Sequence, residues 1–458
     1  MMRTPLATLL LTAGLMTIST AQAWDDPLGT LADVSAPACR EARQQPLSLA
    51  DVVDLALCAN PATREAWANA RYQGALVGVA QSARLPELTA AVSSSRSRSA
   101  GVTARERQAG LALSWILYDF GARGATVDSA RHLLAAANAN RDGTLQAVRQ
   151  AAVQAYFQIQ AAEAALAAAR QSEQAFAESH KASEERHQVG IATPADKLQA
   201  QTALSQARLQ RIQAEGVLRS AQGALANTIG RAANEAFALA PAAEVDAGAA
   251  FDQDVSALIA LAGERRPDLI SAEAQWHSAE ADVGAARAAG LPTLRLVGGG
   301  ARSKIDGAPW ANGSSVGLVL DIPLFTGFHD TYRIRAAEAR REAQAAARDR
   351  LRLQVSLDVW TAYQSLVTAN QSLRSTADLI ASAERSGEVT LGRYRNGVGS
   401  ILDLLTAQSA LAAARQQRVA ALYEWNVSRT ALAFAIGNLD MELIDRLTLA
   451  INNEKAAP

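Results

Sequence analysis

The chain states much the same pattern twice. Pro61, Leu85-Pro86, Gly121, Tyr156, Gly190, Asp196 and Gly230 return as Pro267, Leu291-Pro292, Gly327, Tyr363, Gly397, Asp403 and Gly437. The offset is 206 residues through Gly327 and 207 from Tyr363 onward, so one insertion accounts for the drift. Agreement at a nearly constant offset implies two copies of one structural unit, which constrains the architecture more than any single polar residue does.

The N-terminal residues carry one Arg, an apolar run from Leu6 to Leu15 and the small-residue end Ala21-Gln22-Ala23, the layout of a secretory signal peptide over 1–23. The apolar run is shorter than the ~20 residues that cross a bilayer. Trp24, not Cys, follows the expected cleavage site, so no lipid anchor is expected there. In an oxidising compartment Cys39 and Cys58 can close a short loop or stay as two buried thiols, since spacing alone does not show proximity. A net charge of -1, from 44 basic and 45 acidic residues, offers nothing to nucleic acid. His132, His187, His277 and His329 lack ligand spacing, and no Gly-rich phosphate loop or nucleophile–base set is present. No metal, cofactor or enzymatic activity is therefore expected. After Ala23 no stretch is apolar enough for a membrane helix, so entry into a bilayer would require a closed β-barrel.

Pro86 and Pro194 are consecutive prolines. Between them the stretch from about 125 to 187 is rich in Ala, Gln, Glu and Arg, with Leu133, Leu145, Val148, Ala152, Phe157 and Leu166 at mostly helical intervals. The second copy does the same from about 331 to 394, through Leu353, Leu357, Trp360, Val367 and Leu373. At 1.5 Å per residue each helix would run roughly 90 to 100 Å, a length suited to a coiled coil or tube. Gly190 and Gly397 are placed to reverse the chain. Thr193-Pro194-Ala195-Asp196 and Ser400-Ile401-Leu402-Asp403 then each offer an N-cap hydroxyl with an acid three residues on. The following helices, about 195–229 and 402–436, are shorter, so 61–85 and 267–289 are expected to continue them in space.

Between each Leu-Pro pair and the next long helix the period changes to two. Strands are expected at Leu88 to Ser99, Leu111 to Tyr118, Leu294 to Lys304 and Ser314 to Ile322, joined by polar loops. Leu111, Leu113, Trp115 and Leu117 alternate with Ala112, Ser114 and Ile116; Val316, Leu318 and Leu320 alternate with Ser315, Gly317 and Val319. Apolar outside and small or polar inside is the transmembrane-strand pattern, and it also fits two hairpins packed on a soluble domain. Four strands do not close a barrel, whereas three chains supply twelve strands and twelve helical columns, which suggests a homotrimer. Trp310 at one end of the strands, and Tyr118, Phe120, Phe325 and Phe328 at the other, can form two interfacial aromatic belts. The expected organisation is a signal peptide (1–23), an N-terminal extension (24–46), a first repeat (47–230, tip about 188–196), a linker (231–250), a second repeat (251–437, tip about 395–403) and a tail (438–458).

ANPATREAW with RRPDLISAEAQ, SARLPEL with AAGLPTL, LDIPLFTGF before the second long helix, and YRNGVGSILDLLTAQSALAAARQ across the second turn resemble the outer membrane efflux protein family, the TolC-like channels of type I secretion systems and drug-efflux pumps. The likeness covers Leu47 to about Gly437. It implies a mixed α and β fold: a trimeric twelve-stranded transmembrane β-barrel in outer membrane lipid, continued by a long periplasmic α-helical barrel. The tunnel would close at its helical tips and open on a periplasmic adaptor (membrane fusion protein) and an inner-membrane ABC or proton-driven transporter.

The resemblance also assigns residues. Asp403 falls on the first of two acidic pore rings, and Thr406 occupies the second, so half of the usual constriction is present. Tyr394 falls on a tip-latch tyrosine whose acceptor in the first-copy turn is Asp196, and Gly399 replaces the latch's basic member. Asp196 and Asp403 also serve as helix-capping acids, and the two roles are compatible. The function implied is passive export, with type I secretion of a toxin or enzyme preferred to drug efflux; the alternative is a non-conducting helical envelope scaffold or adhesin.

Overall fold

A computed structural model describes residues 26–31, 46–99, 102–235, 237–240 and 254–437. The expected signal peptide, Trp24, Cys39, the tail, and parts of the N-terminal extension and linker lie outside the described residues. Cys58 sits half-buried near the end of the first helix, and its pairing with Cys39 remains an expectation from the sequence.

The elements, in chain order, are α1 (Leu49–Ala59), α2 (Pro61–Ser82), β1 (Glu87–Ser99), β2 (Val102–Tyr118), α3 (Ala122–Gln188), α4 (Pro194–Thr228), α5 (Val255–Arg265), α6 (Pro267–Ala288), β3 (Thr293–Ile305), β4 (Ala311–Asp321), α7 (His329–Arg395) and α8 (Ile401–Ala435). Helix lengths agree between halves: α3 and α7 each have 67 residues, α4 and α8 each 35. The chain forms two compact units. Of the described residues, one holds 26–31, 67–99, 102–139 and 271–349; the other holds 46–66, 140–235, 237–240, 254–270 and 350–437.

The first unit carries one antiparallel sheet in the order β1-β2-β3-β4. Leu88 faces Leu113, Leu113 faces Gly298, and Leu296 faces Leu318, so the apolar side chains of all four strands share one face. Thr89, Ala91, Ala112, Gly299 and Ser315 share the other, where they line a hollow. Glycine is required on that side: a Cβ at Gly299 would lie 2.9 Å from the Leu111 carbonyl. The leucine face is bare, with Leu88 66 % and Val316 79 % exposed. The strand β2 begins at Val102 and not at Leu111, because polar residues 102–110 read as a loop yet continue the ladder opposite β1.

The turns into the long helices correct one pairing of the repeat. Phe120 and Gly121 both have positive φ (52° and 91°), and so do Gly327 and Phe328 (62° and 64°). By backbone conformation Gly121 therefore corresponds to Phe328, and the extra residue of the second copy falls before this turn. Each turn needs two left-handed residues and supplies one as glycine; the other is a phenylalanine held at a cost of about 1 kcal/mol. The ring contacts there are Tyr118–Phe120 at 4.8 Å and Phe325–Phe328 at 5.6 Å.

The second unit buries three apolar clusters. Leu47, Val52, Tyr156, Ile159, Leu225 and Ile229 form one, Leu258, Val359, Leu373, Trp425 and Leu432 another, and Phe176, Leu204, Tyr394, Ile401 and Leu404 the third. The ends of the two shorter helices are each met by the residue that precedes another helix. Asn60, just before α2, donates to the Thr228 carbonyl at the end of α4 (3.0 Å). Arg266, just before α6, does the same to Ala435 at the end of α8 (3.4 Å). Both bonds serve C-terminal carbonyls that have no partner within their own helix.

Candidate functional site at the helical turns

Both turns of the second unit close with the same backbone geometry. Gly190 and Gly397 each have φ 78°, a left-handed position that lets Ile191 N reach the Arg186 carbonyl (2.8 Å) and Val398 N the Arg393 carbonyl (3.0 Å). These are Schellman-type ends, in which glycine avoids the Cβ penalty.

The next helices start differently. Ahead of α4, Thr193 and Asp196 form a complete capping box: Thr193 Oγ1 accepts from Asp196 N (3.2 Å), while the Asp196 carboxylate accepts from Thr193 N (2.9 Å) and Oγ1 (2.8 Å). Ahead of α8, Ser400 Oγ accepts from Asp403 N (3.1 Å), but among the described residues nothing donates to the Asp403 carboxylate. Asp403 is exposed, and so is Thr406 one turn later. One acid is thus engaged in its own helix start, and the other is open to solvent.

Tyr394 is 5 % exposed and packs with Phe176, Ile401 and Leu404. Its expected tie to Asp196 is not a hydrogen bond here, because the bonds of that carboxylate go to Thr193. Burial pushes the phenol's pKa up; the Arg186 charge opposes this and the Asp196 charge adds to it. The residue on Tyr394 is Arg186, from the last turn of α3. Its guanidinium carbon lies 4.2 Å from the ring centroid, and its Nη2 donates to the Tyr394 (2.6 Å) and Arg395 (3.3 Å) carbonyls. One cation therefore stacks on an aromatic face and satisfies the C-terminus of α7. Sequence reasoning missed Arg186; the only signal was a lone Arg four residues before the turn glycine.

Gly399 has a steric reason to be glycine. A Cβ there would lie 3.1 Å from Arg393 Cβ and 3.1 Å from Tyr394 N, so any side chain at this position needs the end of α7 to give by a few tenths of an ångström. Further from the turn, Lys197 and Glu184 join α4 to α3 at 2.8 Å, and Ser179 exchanges hydrogen bonds with Gln408 between α3 and α8 (3.1 and 2.9 Å). Nothing in this arrangement is a catalytic constellation.

A prediction follows from the Tyr394 geometry. Tyr394→Phe keeps the ring under Arg186 and both carbonyl bonds, so its unfolding free energy should stay within about 1 kcal/mol of wild type. Tyr394→Leu removes the aromatic face and should lower it more, since a cation–π contact contributes about 0.5–2 kcal/mol. Urea unfolding of both variants checks this; a larger loss from Phe than from Leu would assign the contact to the hydroxyl.

Comparison with known proteins bears on the whole chain. The family model for the outer membrane efflux protein matches twice, over residues 52–231 and 234–438. Protein CyaE of Bordetella pertussis is 33% identical over 411 residues, covering 88% of this chain and 86% of that protein. Outer membrane protein OprJ of Pseudomonas aeruginosa is 29% identical over 379 residues, 78% of this chain and 77% of that one. The crystal structure of a membrane protein from Pseudomonas aeruginosa superposes with a TM-score of 0.77 at 25% identity, covering 88% of this chain and 98% of that chain.

Proposed function

We propose, for a chain that belongs to the outer membrane efflux protein family, that three copies form a passive export conduit through the outer membrane and periplasm. Members of this family are non-enzymatic outer membrane channels that work with adaptors and inner-membrane transporters; this is an outer membrane protein and not an enzyme.

The observation that carries the trimer is the four-stranded sheet. Its outer face is apolar and bare, and β1 and β4 each leave one edge unpaired. Hydrocarbon does not tolerate open edges. Joining β4 of each copy to β1 of the next removes them all in a twelve-stranded barrel, and a tandem repeat in each chain gives that ring approximate sixfold symmetry. The helices then extend toward an adaptor (membrane fusion protein) and an inner-membrane ABC or proton-driven transporter. The proposed cargo is a secreted polypeptide, the cargo class that the resemblance to the channels of type I secretion systems implies. Small toxic compounds are the second reading. Deleting the gene should remove a protein from the culture medium; loss of drug resistance with normal secretion would favour the second reading.

In this conduit Asp403 forms the constriction, with Thr406 behind it and the turns carrying Asp196, Tyr394 and Gly399 as the gate. The exposed carboxylate of Asp403, which receives no hydrogen bond, supports the assignment. Three copies around a narrow lumen make a focused negative ring. Asp403→Asn should lower cation preference and weaken block by multivalent cations, and Thr406→Asp should strengthen both. Reversal potential across a salt gradient in a planar bilayer measures this. If neither variant shifts it, Asp403 is an exposed first-turn residue of α8 and not a pore residue; if wild type gives no channels, the conduit reading fails.

A further inference from the structure

The outer face of the sheet does not stay apolar to its end. On β1, Leu88, Ala90 and Val92 are followed on the same face by Arg96 and Arg98. On β2, Leu113, Leu111 and Ala109 are followed by Arg107 and Arg105, and on β3, Leu294 and Leu296 lead to Arg302 and Lys304. The register joins these into one array. Arg96 lies opposite Arg105, Arg107 opposite Lys304, and Ala109 opposite Arg302, so all six cations project from the face that carries the leucines.

The array is exposed and uncompensated. Arg96, Arg98, Arg105, Arg107 and Arg302 are exposed, and Lys304 is half-buried. Among the described residues none of the six is in an ion pair. Glu106, opposite Ser95 and Ile305, is on the other face, and Asp306 sits in the turn after β3. Trp310 is flanked by Arg302 (4.9 Å) and Lys304 (5.8 Å), a ring held at the same level as the charges. Two directly opposed like-charge pairs oppose sheet formation. Protection of a bare edge does not explain the array, because four of its six cations lie on the inner strands β2 and β3.

We infer that this array is a binding surface for the phosphate groups of the anionic glycolipid of the outer leaflet. The inference rests on the barrel reading above, in which the leucine face meets lipid and the hairpin end points away from the periplasm. Arg107 is then roughly 34 Å along β2 from Leu117, or about 25 Å of membrane depth at a tilt of ~40°, which is the height of a barrel's apolar band. The first cations therefore stand where acyl chains end and headgroup phosphates begin. Arg presents a planar fork that suits bidentate phosphate contacts, and five of the six cations are Arg. A face turned to lipid cannot serve cargo in the lumen.

The test uses the purified full-length trimer in neutral detergent. It is titrated with bisphosphorylated lipid A, with the same lipid stripped of its phosphates, and with inorganic phosphate. The wild type should bind the phosphorylated lipid at least tenfold more tightly than the stripped one, and millimolar Mg²⁺ or salt should weaken that binding. The quadruple change Arg96→Gln, Arg105→Gln, Arg107→Gln and Arg302→Gln should abolish the preference while conductance is unchanged. Lys at the same four positions should keep most of it. Equal wild-type affinity for the two lipids, or an unaltered preference in the Gln variant, overturns the proposal. So does inorganic phosphate that binds as tightly as the lipid. If the Gln variant does not assemble, the wild-type lipid comparison and the Lys variant still decide. Loss of trimer or conductance in the wild type itself would count against the barrel reading and not against the array.

Discussion

Replacing Arg186 with Ala should give channels that are open far more of the time, with larger conductance and increased entry of bulky antibiotics into cells. Arg186 joins the α3–α4 pair to the α7–α8 pair through one stacked ring and two carbonyl bonds. Charge-assisted hydrogen bonds contribute about 1.5–3 kcal/mol, and the stack about 0.5–2 more. The terms overlap, so roughly 2–3 kcal/mol per chain is a reasonable total, and three chains acting on one gate compound it. In the proposed gate, opening would change the spacing of the two helical pairs, and a contact spanning them would resist that change. Arg186→Lys keeps the charge without the planar stack and should fall between wild type and Ala. Single-channel recording, with cross-linking to confirm assembly, reads the result; an Ala variant that assembles and gates like wild type would make Arg186 a helix cap alone.

The second large effect concerns stability. Arg266→Ala should lower the unfolding free energy of the helical part by roughly 2–3 kcal/mol. The side chain is 9 % exposed and holds Asp268 with two bonds (2.6 and 3.0 Å), Asp358 at 3.3 Å and the Ala435 carbonyl at 3.4 Å. Breaking a fully buried pair costs about 3–5 kcal/mol, and the lower figure allows for carboxylates that keep about a third of their exposure to water. Burial works to raise the Asp268 pKa, but hydrogen bonding and charge from Arg266 outweigh it, and the net shift is downward. A carboxyl with a depressed folded pKa stabilises above its unfolded value, near 4, and that contribution is lost as pH falls through the folded one. The gap between wild type and variant should therefore be full at pH 7 and shrink below about pH 4. Urea unfolding followed by circular dichroism at both pH values tests this. Arg266→Asn, which copies Asn60 in the first half, should recover part of the carbonyl bond; an Ala variant within 0.5 kcal/mol of wild type would remove the bridge from the account.

Much of this architecture is local in origin, and so it was legible. Ala-rich stretches without proline make long helices, and Pro194 with Thr193 and Asp196 starts α4 where the capping rule puts it. Alternation of leucine with small residues identified the lipid-type face of the strands, because the side-chain period of a strand is fixed at two. The polar start of β2 was not legible. Residues 102–110 carry no apolar alternation, and only pairing with β1 makes them strand.

The turn at Phe328 shows the same boundary between levels. Sequence identity pairs glycine with glycine, whereas the backbone pairs left-handed positions whatever residue occupies them. At the tip, the resemblance named Tyr394 and Asp196 but not Arg186, which approaches from 208 residues away. The sequence by itself determined helix starts, turn glycines, strand faces and the two-copy plan, all set by interactions within a few residues. Only the tertiary structure brought Arg186 onto Tyr394 and placed six cations from three strands on one face. Those outcomes depend on register and on contacts between distant segments, which local periodicity does not encode.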